Sequence, residues 1–239
     1  MGRQIIIGVP GYWETRAEIL SAVADKSDGF LCLANILMDS STKDTYTLDI
    51  YEHDPQLAAA FSIAGRSWIR QPDLDRIAAH KHTLYVLSPG VSVEFAQRML
   101  KAGHALLKAG GIAVKVESTG IAHSADKWME FTRSGDLFQL YCAFVTLIKG
   151  NEYFYSCGMH NFGLPDVSIS SELTPNDAAE VMNRFNCFVL FENPALADGE
   201  TFSVAAGTPR YRLKKEVCGL YHRDDPFYNP LGRWHLVQV

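Results

Sequence analysis

Hydrophobic and polar positions change period most clearly in the middle of the chain. Residues 82–88 run His-Thr-Leu-Tyr-Val-Leu-Ser and stop at Pro89-Gly90. An apolar, β-branched and aromatic run closed by a turn signal predicts a buried strand. Over 93–108 the spacing becomes helical. Phe95, Met99, Ala102 and Leu106 fall at steps of three and four, with Glu94, Gln97, Arg98, Lys101 and Lys108 on the other side. Gly110-Gly111 stops this helix, and Gly111 to Glu117, with Ile-Ala-Val-Lys-Val in its centre, reads as a second strand. Strand, helix and strand at this spacing predict a βαβ unit with its two strands parallel and side by side. The rest of the chain is expected to pack around it.

The flanks extend the pattern. Strands are predicted at 4–8, 30–38 and 45–52, and helices at 14–24, 56–64 and 73–79, with a hairpin loop over 39–44. The order β-α-β-β-α-β-α-β resembles a ferredoxin-like unit with one extra α-β. Residues 119–135 read as a connector holding a short helix around Trp128. Beyond it, strands are expected at 138–148, 153–157, 166–170, 201–204 and 210–217. Thr174-Pro175-Asn176-Asp177 marks a helix start, with an N-cap Thr, Pro at the first position and an acid three residues after the cap. Ala178, Val181, Met182, Phe185 and Val189 supply that helix's buried stripe, and Asn193-Pro194 ends it. The predicted fold class is α+β: mixed sheets with helices on one face and ferredoxin-like halves. The 239 residues form one compact unit, or two halves at 1–119 and 136–239, a pseudo-duplication sharing one sheet.

Composition narrows the function classes. Forty-seven percent hydrophobic and 21% charged residues are ordinary for a globular protein. A net charge of −5 argues against nucleic acid as a partner and suits a basic protein partner. No apolar run reaches transmembrane length, and the apolar stretch near the N-terminus is too short for a signal peptide. No membrane association is expected. Cys32, Cys142, Cys157, Cys187 and Cys218 are odd in number, widely spread and without a CxxC pair. That pattern fits reduced, buried thiols in a cytoplasmic protein.

No complete catalytic or cofactor motif is present. Gly8 to Thr15 occupies the place of a phosphate loop, but Trp13 stands where the second glycine belongs and Glu14 where the lysine belongs. The segment is expected to be a turn that opens a helix, and no cofactor is predicted. His80 and His82 alternate at a strand start and could share a metal with a third ligand; Glu52, His53 and Asp54 form another acid–imidazole group. Against this, His80 caps the helix ending before it. Cys157 lies near His160 without a protease signature. The expected contact surface combines the bend over 158–163, with His160 and Phe162, and a polar and aromatic tail with Tyr221, Asp224, Asp225, Phe227, Tyr228 and Trp234. These aromatics could instead cover the open end of a sheet.

One block carries a family resemblance. Ser156-Cys157-Gly158-Met159-His160-Asn161-Phe162-Gly163-Leu164-Pro165-Asp166-Val167-Ser168-Ile169 resembles the family catalogued as domain of unknown function 4261. Residues 174–191, Asn193-Pro194 and Gly199-Glu200-Thr201-Phe202 continue the likeness, and His80-Lys81-His82 before a strand is similar to the region upstream of that block. The resemblance implies a cytosolic, mainly bacterial α+β protein. An immunity or accessory role near toxin or secretion genes is compatible with it, and it transfers no catalytic residue. The expected function is a non-enzymatic protein-binding factor. The alternative is an enzyme, with or without a metal, whose site gathers His80, His82, His160 and Glu117.

Overall fold

The computed structural model describes residues 3–65 and 68–239. The chain divides into two compact units, Met1–Ala143 and Phe144–Val239.

The first unit is built on seven strands: β1 (Ile6–Gly11), β2 (Phe30–Leu33), β3 (Ile36–Asp39), β4 (Thr45–Glu52), β5 (His82–Leu87), β6 (Ala113–Val116) and β7 (Ile121–Ser124). Their order is β2-β3-β4-β5-β1-β6-β7, and every neighbouring pair is antiparallel. β5 and β6 are therefore parallel and in one sheet, as the periodicity implies, but they are not neighbours. β1 lies between them, pairing Ile6–Gly11 with His82–Leu87 on one side and Ile7–Gly8 with Lys115–Val116 on the other. The helix α4 (Val93–Lys108), whose bounds match the sequence reading, crosses the width of β1. Strands β4, β5, β1 and β6 keep the order and directions of a ferredoxin-like sheet. The β2–β3 hairpin and β7 extend it at its two edges.

Two expectations fail here for local reasons. Residues 30–38 are not one strand: Ala34, at φ 53°, turns the chain into the β2–β3 hairpin without a Gly or Pro to announce it. The connector over 119–135 holds β7 and the helix α5 (Ala125–Ser134).

Register fixes what each face of this sheet meets. Phe30, Leu37, Tyr46, Leu48, Leu84, Val86, Ile7, Val9, Val114 and Val116 alternate onto one buried face. α4 lies on it. Lys101 pairs with the buried Asp39 at 2.6 Å and sits over the Phe30 ring. Burial alone would raise Asp39, but Lys101 and the Ser41 hydroxyl and amide outweigh it and hold the carboxyl well below its usual range. Two indoles pin α4: Trp128 Nε1 donates to Leu100 O at 3.0 Å and Trp13 Nε1 to Ala109 O at 2.9 Å. Helices do not keep to one face, which corrects the sequence reading. α2 (Leu57–Gly65) and α3 (Gln71–Ala78) pack on the opposite face against β6 and β7, where Ala113 and Ala122 leave room for Leu57, Phe61 and Ile77.

The second unit has its own sheet, so the two halves share none. It contains β8 (Thr146–Lys149), β9 (Tyr153–Cys157), β10 (Asp166–Ser170), β11 (Thr201–Ser203), β12 (Arg210–Glu216) and β13 (Arg233–Gln238), in the order β11-β12-β13-β10-β9-β8. β10 and β13 run parallel and all other pairs are antiparallel. This is not a ferredoxin-like order. The apolar run over 138–148 is divided between α6 (Leu137–Phe144) and β8; a continuous apolar run carries no period to separate the two. The tail supplies β13, with Trp234 and Leu236 in the core. α7 (Pro175–Glu192) starts at the predicted Thr174 cap and ends on the left-handed Asn193. It packs on β9 and β10, and Phe185 meets Phe202 edge-on.

A Cβ added at Gly103 of α4 would lie 2.7 Å from Trp128 Nε1. Alanine in a helix normally stabilises by about 1 kcal/mol over glycine. Here Gly103→Ala is expected to destabilise by roughly 1–3 kcal/mol, because the buried indole cannot yield. A thermal melt of the variant reads this, and a raised midpoint would contradict the packing.

Candidate binding face

One buried carboxylate organises the second unit. Asp166 opens β10, and its Oδ1 accepts from Ser156 Oγ at 3.0 Å and from the Met159 amide at 3.2 Å. Its Oδ2 accepts from Asn229 Nδ2 at 2.7 Å. Ser156 Oγ in turn accepts from the Val167 amide at 2.9 Å. Asn229 also donates to Leu164 O and accepts from the Leu231 amide. Asp166 thus ties together β9, the tail and the short 3-10 helix Met159–Phe162. Gly158 (φ 129°) and Gly163 (φ 74°) frame that helix in conformations other residues avoid. Burial pushes the Asp166 carboxyl up to about 6, and its hydrogen bonds pull against that rise.

The face of this sheet opposite α7 is polar and aromatic. Tyr153, Tyr155, Ser168, Arg233 and His235 alternate onto it from β9, β10 and β13. Arg233 lies 4.2 Å from the centre of the Tyr153 ring. Its Nε and Nη2 donate to Glu216 Oε2 at 3.1 and 2.9 Å, while Nη1 is buried with no hydrogen-bond partner among the described residues. Burial would lower Arg233, but Tyr153 and Glu216 reverse that and raise it, so the cation is fixed. His235 Nδ1 and Ser168 Oγ are 3.0 Å apart. Burial lowers His235, with Glu216 opposing. Beside this array the Tyr155 and Tyr221 hydroxyls meet at 3.0 Å, and Phe227 stands edge-on to Tyr221. Burial and the Tyr155 bond raise the Tyr221 phenol, so it stays protonated. A cavity of about 20 Å³ lies among Tyr155, Asp166, Tyr221 and Arg233, room for roughly one water.

Two nucleophile candidates lie at this face, and both are buried. Ser168 beside His235 has the spacing of a nucleophile and base, but Ser168 is fully buried, so no substrate carbonyl reaches it. Cys157 is a buried thiol pushed up by burial, far from the thiolate that attack requires.

The residues predicted from the sequence divide. Tyr221, Asp225, Phe227 and Tyr228 are half-buried in the tail, and Asp224 is exposed, 3.3 Å from His222. His160, Phe162 and Trp234 are buried and belong to the core rather than to a surface. Their burial follows from the framed helix and from the unpredicted β13. His80 is also buried. Its Nδ1 donates to Ile77 O at 2.6 Å and its Nε2 accepts from the Asp54 amide at 3.2 Å, which leaves no lone pair for a metal. His82 Nδ1 donates to Trp13 O instead. Among the described residues no group of three His, Cys, Asp or Glu is placed to hold a metal. Glu117, proposed for the same alternative site, pairs with Lys115 in the first unit. Sequence reasoning missed Tyr153, Arg233 and His235. Arg233 and His235 alternate on β13, a strand the sequence reading did not contain, whereas Tyr153 lies on the predicted strand 153–157 and gains its role only from the Arg233 contact.

The class defined is an α+β protein of two compact units, each built on its own sheet. The family model described as Domain of unknown function (DUF4261) matches residues 155–230, which hold every member of the Asp166 clamp. No curated protein and no solved structure matches the chain significantly. No helix among the described residues is long and apolar enough to cross a membrane.

Asp166→Asn tests the clamp. In either orientation the new amide sets its NH2 against a donor, Asn229 Nδ2 or the Met159 amide, and Asn229 cannot flip without losing Leu164 and Leu231. At pH 4.5 the variant is expected to lose on the order of 2 kcal/mol. Because the folded carboxyl titrates near 6 and the unfolded one near 3.8, the native state keeps a proton that the unfolded chain has released. The wild-type contribution therefore falls as pH rises from about 4 to 6. Urea denaturation of both proteins at pH 4.5 and 7.5 should show the gap narrowing; a gap that widens with pH refutes the account.

Proposed function

We propose that the chain is a non-enzymatic protein-binding factor, of the neutralising or accessory kind, and that its contact surface is the open face around Tyr153, Arg233 and His235 with the adjoining Tyr221–Phe227 turn. The observation that carries this reading is the locked state of that face. Tyrosine and arginine are the residues that dominate binding energy at interfaces. Here the guanidinium is held by Glu216 and Tyr153 before any partner arrives. Ordering costs on association are correspondingly small. Asp224 and Asp225 at the turn provide the acidic contact that a basic partner would take, in line with the net charge of −5. A cytoplasmic location fits the five free thiols.

The test starts from a partner identified by cross-linking to the immobilised protein and then purified. Titration calorimetry should show Tyr153→Ala and Asp224→Lys each weakening its binding by about tenfold or more. Affinity should also fall with salt, since the acidic contact is at the rim. Unchanged affinity in both variants, with their melting curves intact, would remove this face from the function.

A further inference from the structure

A second surface lies wholly in the first unit and does not depend on the binding reading above. A groove of about 440 Å³ opens between α3 and α5, with Trp68 at its rim. Trp68 is 70% exposed, an unusual position for the largest apolar side chain in water. Arg70, Arg76 and Arg133 line the same groove, and all three are exposed. None of them has an ion-pair partner among the described residues. Of the acids in the lining, Glu130 is paired with Lys127 at 3.0 Å, while Asp73 accepts only from the neutral Arg70 amide and keeps its charge, so the four cations exceed the three carboxylates by one. Asp126 is the remaining carboxylate in the lining. Three uncommitted guanidinium groups beside an exposed indole define a complementary ligand: multidentate anionic oxygens joined to a flat ring.

We propose that this groove binds a nucleoside phosphate, with the phosphate on Arg76 and Arg133 and the base stacked on Trp68. Guanidinium forks match phosphate oxygens in pairs, and an aromatic platform accepts any base face. The volume is in the range of small-ligand sites. Both helices begin at the groove, at Arg70 and Ser124, so their positive ends add to the attraction. The site is separate from the Gly8–Thr15 turn, where Trp13 fills the space beside Gly11 and Gly110.

Trp13, Trp128 and Trp234 are buried, so Trp68 is the fluorophore that a ligand in the groove would quench. The full chain is titrated with ADP, with pyrophosphate as a ring-free probe and adenosine as a phosphate-free probe. ADP should quench saturably and more weakly at high salt, and bind more tightly than either fragment. Arg76→Ala with Arg133→Ala should raise the Kd for ADP by about tenfold or more without changing the melting curve. Trp68→Ala, followed by calorimetry, should weaken ADP and leave pyrophosphate unchanged. Absence of saturable ADP binding in the millimolar range, equal affinity for ADP and pyrophosphate, or ADP binding that survives the double arginine variant would each overturn the proposal.

Discussion

The second unit depends on a carboxylate taken out of water. Asp166 is worth its burial only because Ser156, Met159 and Asn229 deliver donors to it from three separate stretches of chain. Those stretches are the end of β9, the glycine-framed short helix and the tail before β13. The carboxylate joins the Asp166 amide bond to Gly232 O and the Asn229 bond to Leu164 O in holding the tail against the sheet. The tail in turn carries Tyr221 to Tyr155 and leads β13 into place beside β10. The polar face is therefore a consequence of the clamp, and the cost of one buried acid is spread over the geometry of the whole site.

In the first unit the corresponding constraint is geometric. β1 lies between β5 and β6, so α4 must cross a strand's width before the chain can return parallel. That crossing buries α4 from Ala96 through Leu107, between the sheet face and the helix α5 that carries Trp128. At Gly103 the helix has no room for a side chain of its own, because the Trp128 ring of α5 fills that space. The same economy is absent on the other face, where only the small Ala113 and Ala122 admit α2.

Local signals in the sequence were sufficient for most elements and insufficient for their arrangement. The Thr174-Pro175 start of α7 and the helical stripe of α4 were legible because capping and period are properties of neighbouring residues. The insertion of β1 was not, since a strand pairing partners about 75 and 105 residues away leaves no local mark. The hairpin at Ala34 lacked a glycine, and the run over 138–148 lacked a period. Of the candidate surface, the Tyr221–Phe227 turn could be read from composition. His160 and Trp234 could not be separated from it, because a buried aromatic and an exposed one are written with the same letter.

What made Arg233 invisible also explains its suitability. It sits opposite Asp166 in register, yet its guanidinium is drawn to Tyr153 and Glu216, residues from two other strands. Only a short side chain at the intervening position on that face allows the reach, and Ser168 is that residue, fully buried. A bulkier residue there would lift Arg233 off Tyr153 and return it to water, where its rotamers would be free and any partner would have to order them at a cost. The preorganised cation and the small buried serine beside its path are thus one device.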